Sequence, residues 1–299
     1  SKTTAGVLLF QADNIAQFIG YLFHIIILSV IEVFLVKAAI LQMQVVLGEP
    51  QKNIDNLYRM AAKAMATRPD VLLLPELWRL GFYPRPVLSY ADADGHETRE
   101  ALASIARKYQ VNVVGGTVAN AIGDKVFNTS YIFDRLGHLV ATYHKTHLFS
   151  PSGEADDFTA GDSLVTFTLD GIKCGILVCY DVRFPEAARQ LALDGISVLF
   201  IPSAWPLKRL IHWQTLIRAR AIENQLFVLA CNAAGTDGSN QKLAGHSAII
   251  DPWGEILATA DEEETILQGN LRLAVQAQIK DTMNIFGDRR PTLYKKTPN

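Results

Sequence analysis

The chain has 299 residues, with 28 Lys+Arg against 30 Asp+Glu for a net charge of −2 and 49% hydrophobic residues, a globular composition that excludes disorder as the main state. No basic block of the kind that grips nucleic acid occurs, so a nucleic-acid partner is not expected. Three cysteines, Cys174, Cys179 and Cys231, are too few for a disulfide framework and have no zinc-ligand spacing, which fits a reducing, cytoplasmic compartment.

The chain first presents an apolar segment. From Asn14 to Val36 it reads NIAQFIGYLFHIIILSVIEVFLV, with His24 and Glu32 its only acidic or basic residues. At about 1.5 Å per residue a helix of that length crosses a bilayer. It has no cationic flank or small-residue cleavage site for a removable signal peptide, and Glu32 opposes insertion. Residues 1–35 are therefore read as an apolar N-terminal extension. Three readings of it stay open: a membrane anchor through residues 14–36, a segment packed on the protein or a partner, or extra residues from an upstream start.

Beyond it a regular rhythm begins. Lys37–Val46 has the pattern of a buried strand, and Pro50 opens a helix as a first-turn residue. Ile54, Leu57, Tyr58, Ala61, Ala62 and Met65 form one apolar helical stripe. Val71–Leu74 is a short buried strand ending at Pro75, followed by a Gly/Pro-rich loop, a second helix over Thr98–Tyr109 and a strand over Val111–Thr117. Alternating strands and helices imply an α/β fold. Val126–Asp134 and His138–Lys145 then flank a turn at Asp134–Gly137, and Leu164–Leu169 and Ile172–Cys179 flank Asp170-Gly171, the patterns of antiparallel hairpins. Alternation resumes with a helix over Pro185–Leu193, a strand over Ile196–Ile201, a helix over Leu210–Ile222 and a strand over Leu226–Cys231. The tail, Ala244–Asn270, returns to strands around Pro252-Trp253-Gly254. With no linker or low-complexity stretch, the chain reads as one mixed α/β domain from about residue 36 onward.

Three places compete for the chemistry. Leu72–Trp78 brings Glu76 to the end of a buried strand, a position where a carboxylate is held rather than floppy. Tyr143–Phe149 closes a hairpin with Lys145 between His144 and His147, but no third ligand at suitable spacing supports a metal there. Gly175–Glu186 runs a strand into Cys179 and then into a helix opened by Pro185, which sets the thiol at a strand-to-helix turn as in a nucleophile elbow. A thiol becomes a nucleophile when a base takes its proton or a cation lowers its pKa. Glu76 and Lys145 could supply both, although spacing alone does not bring the three together. Cys174 and Cys231 read as inert core residues.

Together these segments resemble the nitrilase, or carbon–nitrogen hydrolase, superfamily, whose Glu-Lys-Cys set occurs in this order within PE, HK and CYDxRFPE motifs. Glu154 ahead of Phe158 and Gly161, the segment Pro202-Ser203-Ala204-Trp205, Arg218–Asn224, Gly245-His246-Ser247 and Asp288–Pro291 also fit. The match covers about 37 to 294. Residues 1 to about 35 depart from the pattern, which puts the compartment in question. The resemblance implies a four-layer α-β-β-α sandwich over a hydrolase domain at 36–299, a homodimer or higher homo-oligomer, and no metal or organic cofactor. It implies Glu76 as general base, Lys145 with the Tyr180 backbone N–H as oxyanion donors, and Cys179 as nucleophile.

Glu154 either orients Lys145 or the substrate amine, or is a plain surface carboxylate. Arg183 either binds a substrate carboxylate or pairs with Asp181 or Glu186. Phe82, Tyr83, Ser203, Ala204 and Trp205 are candidates for the acyl pocket. Arg218, Arg220 and Glu223 read as an internal salt-bridge network.

The spellings YHKTHLF, CYDVRFPE and Trp253-Gly254-Glu255 look most like the omega-amidase branch, which implies hydrolysis of the terminal amide of a small carboxylate-bearing molecule through a thioester. Nitrile and N-carbamoyl amino acid hydrolysis use the same machinery and stay open. So does a non-catalytic, membrane-tethered interaction protein.

Overall fold

The computed structural model describes residues 35–294, so all but the last two positions of the apolar 14–36 segment, and the anchor reading that rests on it, lie outside the described residues. The elements follow the expected rhythm closely. Strand β1 (Leu35–Gln42) leads to helix α1 (Pro50–Ala64), β2 (Val71–Leu73), β3 (Asp92–Ala93), α2 (His96–Tyr109), β4 (Asn112–Val114), β5 (Val118–Ile122), β6 (Lys125–Phe133) and β7 (Leu139–His144). A short helix α3 (Glu154–Asp157) precedes β8 (Thr166–Leu169), β9 (Ile172–Ile176), α4 (Pro185–Leu193), β10 (Val198–Ser203), α5 (Leu210–Asn224) and β11 (Phe227–Asn232). The chain then forms β12 (Ala248–Ile250), β13 (Ile256–Thr259), β14 (Thr265–Arg272), α6 (Ala274–Thr282) and α7 (Pro291–Tyr294).

These strands make two sheets. One has the order β14-β1-β2-β4-β6-β5-β3, with β7 also paired to β6, and the other the order β13-β12-β11-β10-β9-β8. The β1-β2-β4 and β9-β10-β11 runs are parallel, joined by helices, while β5-β6-β7 and β11-β12-β13 are antiparallel. Strand alternation assigns each face its partner. Ala38 and Ile40 of β1 share a core with Cys174, Ile176, Val198 and Phe200 of the second sheet. Ala39 and Leu41, on the opposite face, pack against Leu57 and Met60 of α1 and Leu102 and Ile105 of α2. On the second sheet Gly175 abuts Leu191 of α4 and Ile196, so that sheet too is covered by helix. A one-residue slip of β1 would exchange its two apolar faces. Residues from Val36 onward form one compact unit.

Several boundaries differ from expectation. Strand β1 stops at Gln42, whose side chain donates to Asp261 O and Glu263 O and accepts from Ser247 N, pinning the chain to the β13–β14 connection. On α1 the buried stripe is Asn53, Ile54, Leu57, Met60, Ala61 and Ala64, whereas Tyr58 and Ala62 are exposed and Met65 lies past the helix end. The helix presents the Leu57–Met60–Ala64 row to the sheet, and Tyr58 turns outward to hydrogen bond Ser104. The expected strand Val111–Thr117 breaks at Gly115-Gly116, and β5 forms an unforeseen hairpin with β6. The strand expected to reach Cys179 ends at Ile176. Among the described residues, no helix is long and apolar enough to cross a membrane.

Candidate active site

Glu76 lies just beyond β2 at the seam between the sheets, fully buried. Its Oε1 accepts from Lys145 Nζ (2.9 Å) and Asn128 Nδ2 (2.9 Å), and its Oε2 accepts from Ala204 N (2.9 Å), which follows β10 in the other sheet. The loop that aims it is pinned by Thr117, whose N–H donates to Pro75 O, whose hydroxyl accepts from Leu77 N and whose carbonyl accepts from Trp78 N. This close approach requires Gly116: its φ is +58°, and a Cβ there would lie 2.1 Å from Pro75 O.

Lys145 follows β7 and is equally buried. Its Nζ donates to both oxygens of Glu154 (3.0 and 2.8 Å) as well as to Glu76. Burial opposes its charge, but the Glu154 and Glu76 carboxylates outweigh that and hold the ammonium well above the usual lysine range. Glu154 is no surface carboxylate: it is wholly buried and also accepts from Phe149 N and Asn128 Nδ2. Gly161 lets the following segment close over the lysine, its N–H donating to Lys145 O where a Cβ would meet His144 O at 2.2 Å. His144 and His147 each have their own partner, Thr129 and Asp181, and among the described residues no His, Cys, Asp and Glu cluster is arranged to hold a metal.

Cys179 opens a tight helical turn over Cys179–Arg183 with a φ of +48°, a left-handed conformation that costs a non-glycine residue energy. Asp181 holds this turn against the lysine strand: it accepts from Val178 N, Tyr143 Oη, Thr146 Oγ1, His147 N and His147 Nδ1. Burial and the neighbouring Glu76 carboxylate push the Cys179 thiol well above its usual range, while Lys145 and the Ala204 N–H pull the other way. Cys174 is pushed up to about 12 by burial, and burial likewise holds the Cys231 thiol well above its usual range.

The thiol faces a cavity of about 300 Å³ lined by Phe82, Tyr83, Tyr180, Arg183, Ala204 and Trp205, all expected from the sequence, and by Arg85, Phe149, Arg209 and the Asp237–Gln241 loop, which were not. Ser203 is not on its wall; it is buried behind, where its carbonyl accepts from Glu76 N and Ala233 N. Arg183 pairs with neither Asp181 nor Glu186: its guanidinium lies 4.8 Å over the Trp205 ring and 3.2 Å from His212 Nδ1. Asn128 is the notable omission. It sits mid-strand in β6 and donates to both Glu76 and Glu154, and its one signal was the polar run Asn128-Thr129-Ser130 inside a strand flanked by apolar residues. Of the anticipated network, Arg220 binds Glu223 but Arg218 donates instead to Gly254 O.

Comparison with known proteins finds relatives over most of the chain. The family model described as Carbon-nitrogen hydrolase matches residues 37–281. A 2-oxoglutaramate amidase of Bacillus subtilis (strain 168) is 42% identical over 254 residues, covering 85% of this chain and 97% of that protein. A carbon–nitrogen hydrolase from Helicobacter pylori G27 superposes with a TM-score of 0.81 at 25% identity, covering 87% of this chain and 97% of the other. A glutamate-to-glutamine mutant of an amidase from Nesterenkonia sp. AN1 has a TM-score of 0.75 at 27% identity, covers 87% and 95% of the two chains, and carries the acetamide moiety of fluoroacetamide covalently added at its active-site cysteine.

Proposed function

The chain belongs to the carbon–nitrogen hydrolase family and is an amidase, and we propose that Glu76, Lys145 and Cys179 are its catalytic residues, acting on the terminal amide of a small carboxylate-bearing molecule. The observation that carries this reading is the convergence of the three side chains beyond three strands: Lys145 Nζ donates to Glu76 Oε1, both charged groups act on the Cys179 thiol, and Cys179 lies on the cavity wall. Cys179 Sγ attacks the amide carbon as Glu76 takes the thiol proton. The oxyanion is held by Lys145 Nζ and the Tyr180 backbone N–H, donors that strengthen as charge develops. Lys145 is unsuited to be the base, because two carboxylates keep its proton in place. Glu76 then returns the proton to the leaving nitrogen, the C–N bond breaks, ammonia departs and a thioester remains. Water attacks the thioester, giving its proton to Glu76, and the acid leaves as the thiol regains that proton. Glu154 acts through Lys145, fixing its ammonium.

Arg183, on the cavity wall without a carboxylate partner among the described residues, would bind the substrate carboxylate. The relative named a 2-oxoglutaramate amidase supports an oxo-dicarboxylic monoamide over a nitrile or an N-carbamoyl amino acid. Two measurements test this. Cys179→Ala is expected to abolish ammonia release while Cys174→Ala and Cys231→Ala keep most of it; equal loss in all three would overturn the assignment. Arg183→Met is expected to erase a preference for carboxylate-bearing over neutral amides worth tens to thousands in kcat/KM, from about 2–5 kcal/mol of desolvated pairing. An unchanged ratio would make Arg183 structural. We further take residues 36–299 as the hydrolase domain, residues 1–35 as an extension to it, and the enzyme as a cytoplasmic homo-oligomer. Deleting residues 1–34 should then leave a soluble, active enzyme whose mass in solution is a multiple of the chain's.

A further inference from the structure

Arg183 is not the only guanidinium on the cavity wall. Arg209, half-buried between β10 and α5, lies on the same wall with its guanidinium 4.9 Å over the Phe149 ring. The third arginine, Arg85, is neutralised by Asp157 at 2.8 Å. The acid on the wall, Asp237, is occupied by its own loop, its Oδ1 accepting from Ser239 N, Ser239 Oγ and Gln241 N. Among the described residues, neither Arg183 nor Arg209 has a carboxylate at ion-pair distance. Burial and the neighbouring Arg183 pull the Arg209 guanidinium below its usual range, and it remains a cation near neutral pH. Two guanidinium groups on one half-buried wall, without a carboxylate partner among the described residues, therefore suit an anionic ligand richer than one fork can satisfy.

A single carboxylate offers two oxygens, which one guanidinium fork engages fully. A 2-oxo group adds a third acceptor on the adjacent carbon, in reach of a second donor set. We propose that Arg209 is a second specificity-determining residue, which together with Arg183 binds the carboxylate and neighbouring oxo oxygen of a 2-oxo acid amide. This rests on the reading of Cys179 and Arg183 above. An amino group in place of the oxo group would set an ammonium against Arg209, so the same residue excludes amino acid amides of equal length.

The test compares kcat/KM for 2-oxoglutaramate, glutaramate, glutamine and butyramide in wild type, Arg209→Gln, Arg209→Lys and Arg183→Met. The wild type is expected to prefer 2-oxoglutaramate over glutaramate by about tenfold or more, and over glutamine by more again. Arg209→Gln should bring the 2-oxoglutaramate/glutaramate ratio toward one and narrow the gap to glutamine, with Arg209→Lys between it and wild type. Equal losses on 2-oxoglutaramate and glutaramate, or a wild type without the oxo preference, would overturn the role of Arg209. Arg183→Met separates the two ideas: it should depress both acids relative to butyramide. If wild type hydrolyses butyramide as well as glutaramate, it is the carboxylate reading that fails.

Discussion

Replacing Lys145 by Met removes the ammonium shared by two buried carboxylates, at 2.9 Å from Glu76 and 2.8 Å from Glu154. The Nδ2 of Asn128 still bridges them, but no cation remains in their contacts. Removing one partner of a buried pair costs about 3–5 kcal/mol. At about 2–4 °C per kcal/mol for a domain of this size, the expected fall in Tm is about 6–20 °C. The loss should depend on pH. With the lysine gone, the folded variant is favoured when one carboxylate carries a proton, so it binds more protons than the unfolded chain and its stability falls as pH rises. Thermal unfolding at pH 5.5 and pH 8 should therefore show a larger deficit, relative to wild type, at the higher value. Turnover should fall by about a hundredfold to a thousandfold through loss of the oxyanion donor. Adding Glu154→Gln removes one orphaned charge and should recover stability but not ammonia release. A Lys145→Met protein that melts like wild type at both pH values, or a double variant that regains turnover, would refute the reasoning.

Glu76→Gln should keep the fold, since an amide oxygen still accepts from Ala204 N or Lys145 Nζ, yet lose at least about a hundredfold in kcat. Because burial and Glu76 raise the Cys179 thiol well above its usual range, the resting enzyme should show no thiolate absorbance near 240 nm at pH 8 beyond that of Cys179→Ala; a thiolate at neutral pH would refute a carboxylate base. Asp181→Ala strands buried donors at about 1–3 kcal/mol each and unpins the cysteine turn, so both Tm and kcat should drop. A change in Tm with kcat intact would show that Asp181 does not position Cys179.

Much of this site was legible in the chain itself because local chemistry is written locally. Pro185 after the Cys179 turn, the apolar run ending at Pro75-Glu76 and the turn at Asp134–Gly137 each declare a boundary through backbone rules that need no distant partner. The ordered Glu76, Lys145 and Cys179 segments carried the family, and with it two sheets and their covering helices. The chain misled where an element's neighbour decides. Tyr58 and Met60 are both apolar and fall on adjacent rows of α1, and only the sheet beneath selects Met60. Arg183 stands four residues from Cys179 near two acids in sequence, but Asp181 points the other way, taken up by Val178, Tyr143, Thr146 and His147.

By itself, then, the sequence determined the alternation of strands and helices, the placement of Glu76, Lys145 and Cys179 just beyond strands, and the family. Tertiary structure alone decided that Glu76 and Lys145 are buried against Glu154 and Asn128, that Ser203 stands behind the wall while Arg209 lies on it, and that the Arg183 and Arg209 guanidinium groups share one cavity wall. The reason is physical. The partner of a carboxylate or guanidinium, and the cost of burying it, are fixed only when its water is removed, and the residues that remove it come from distant chain segments, as Glu76 and Ala204 do across 128 positions.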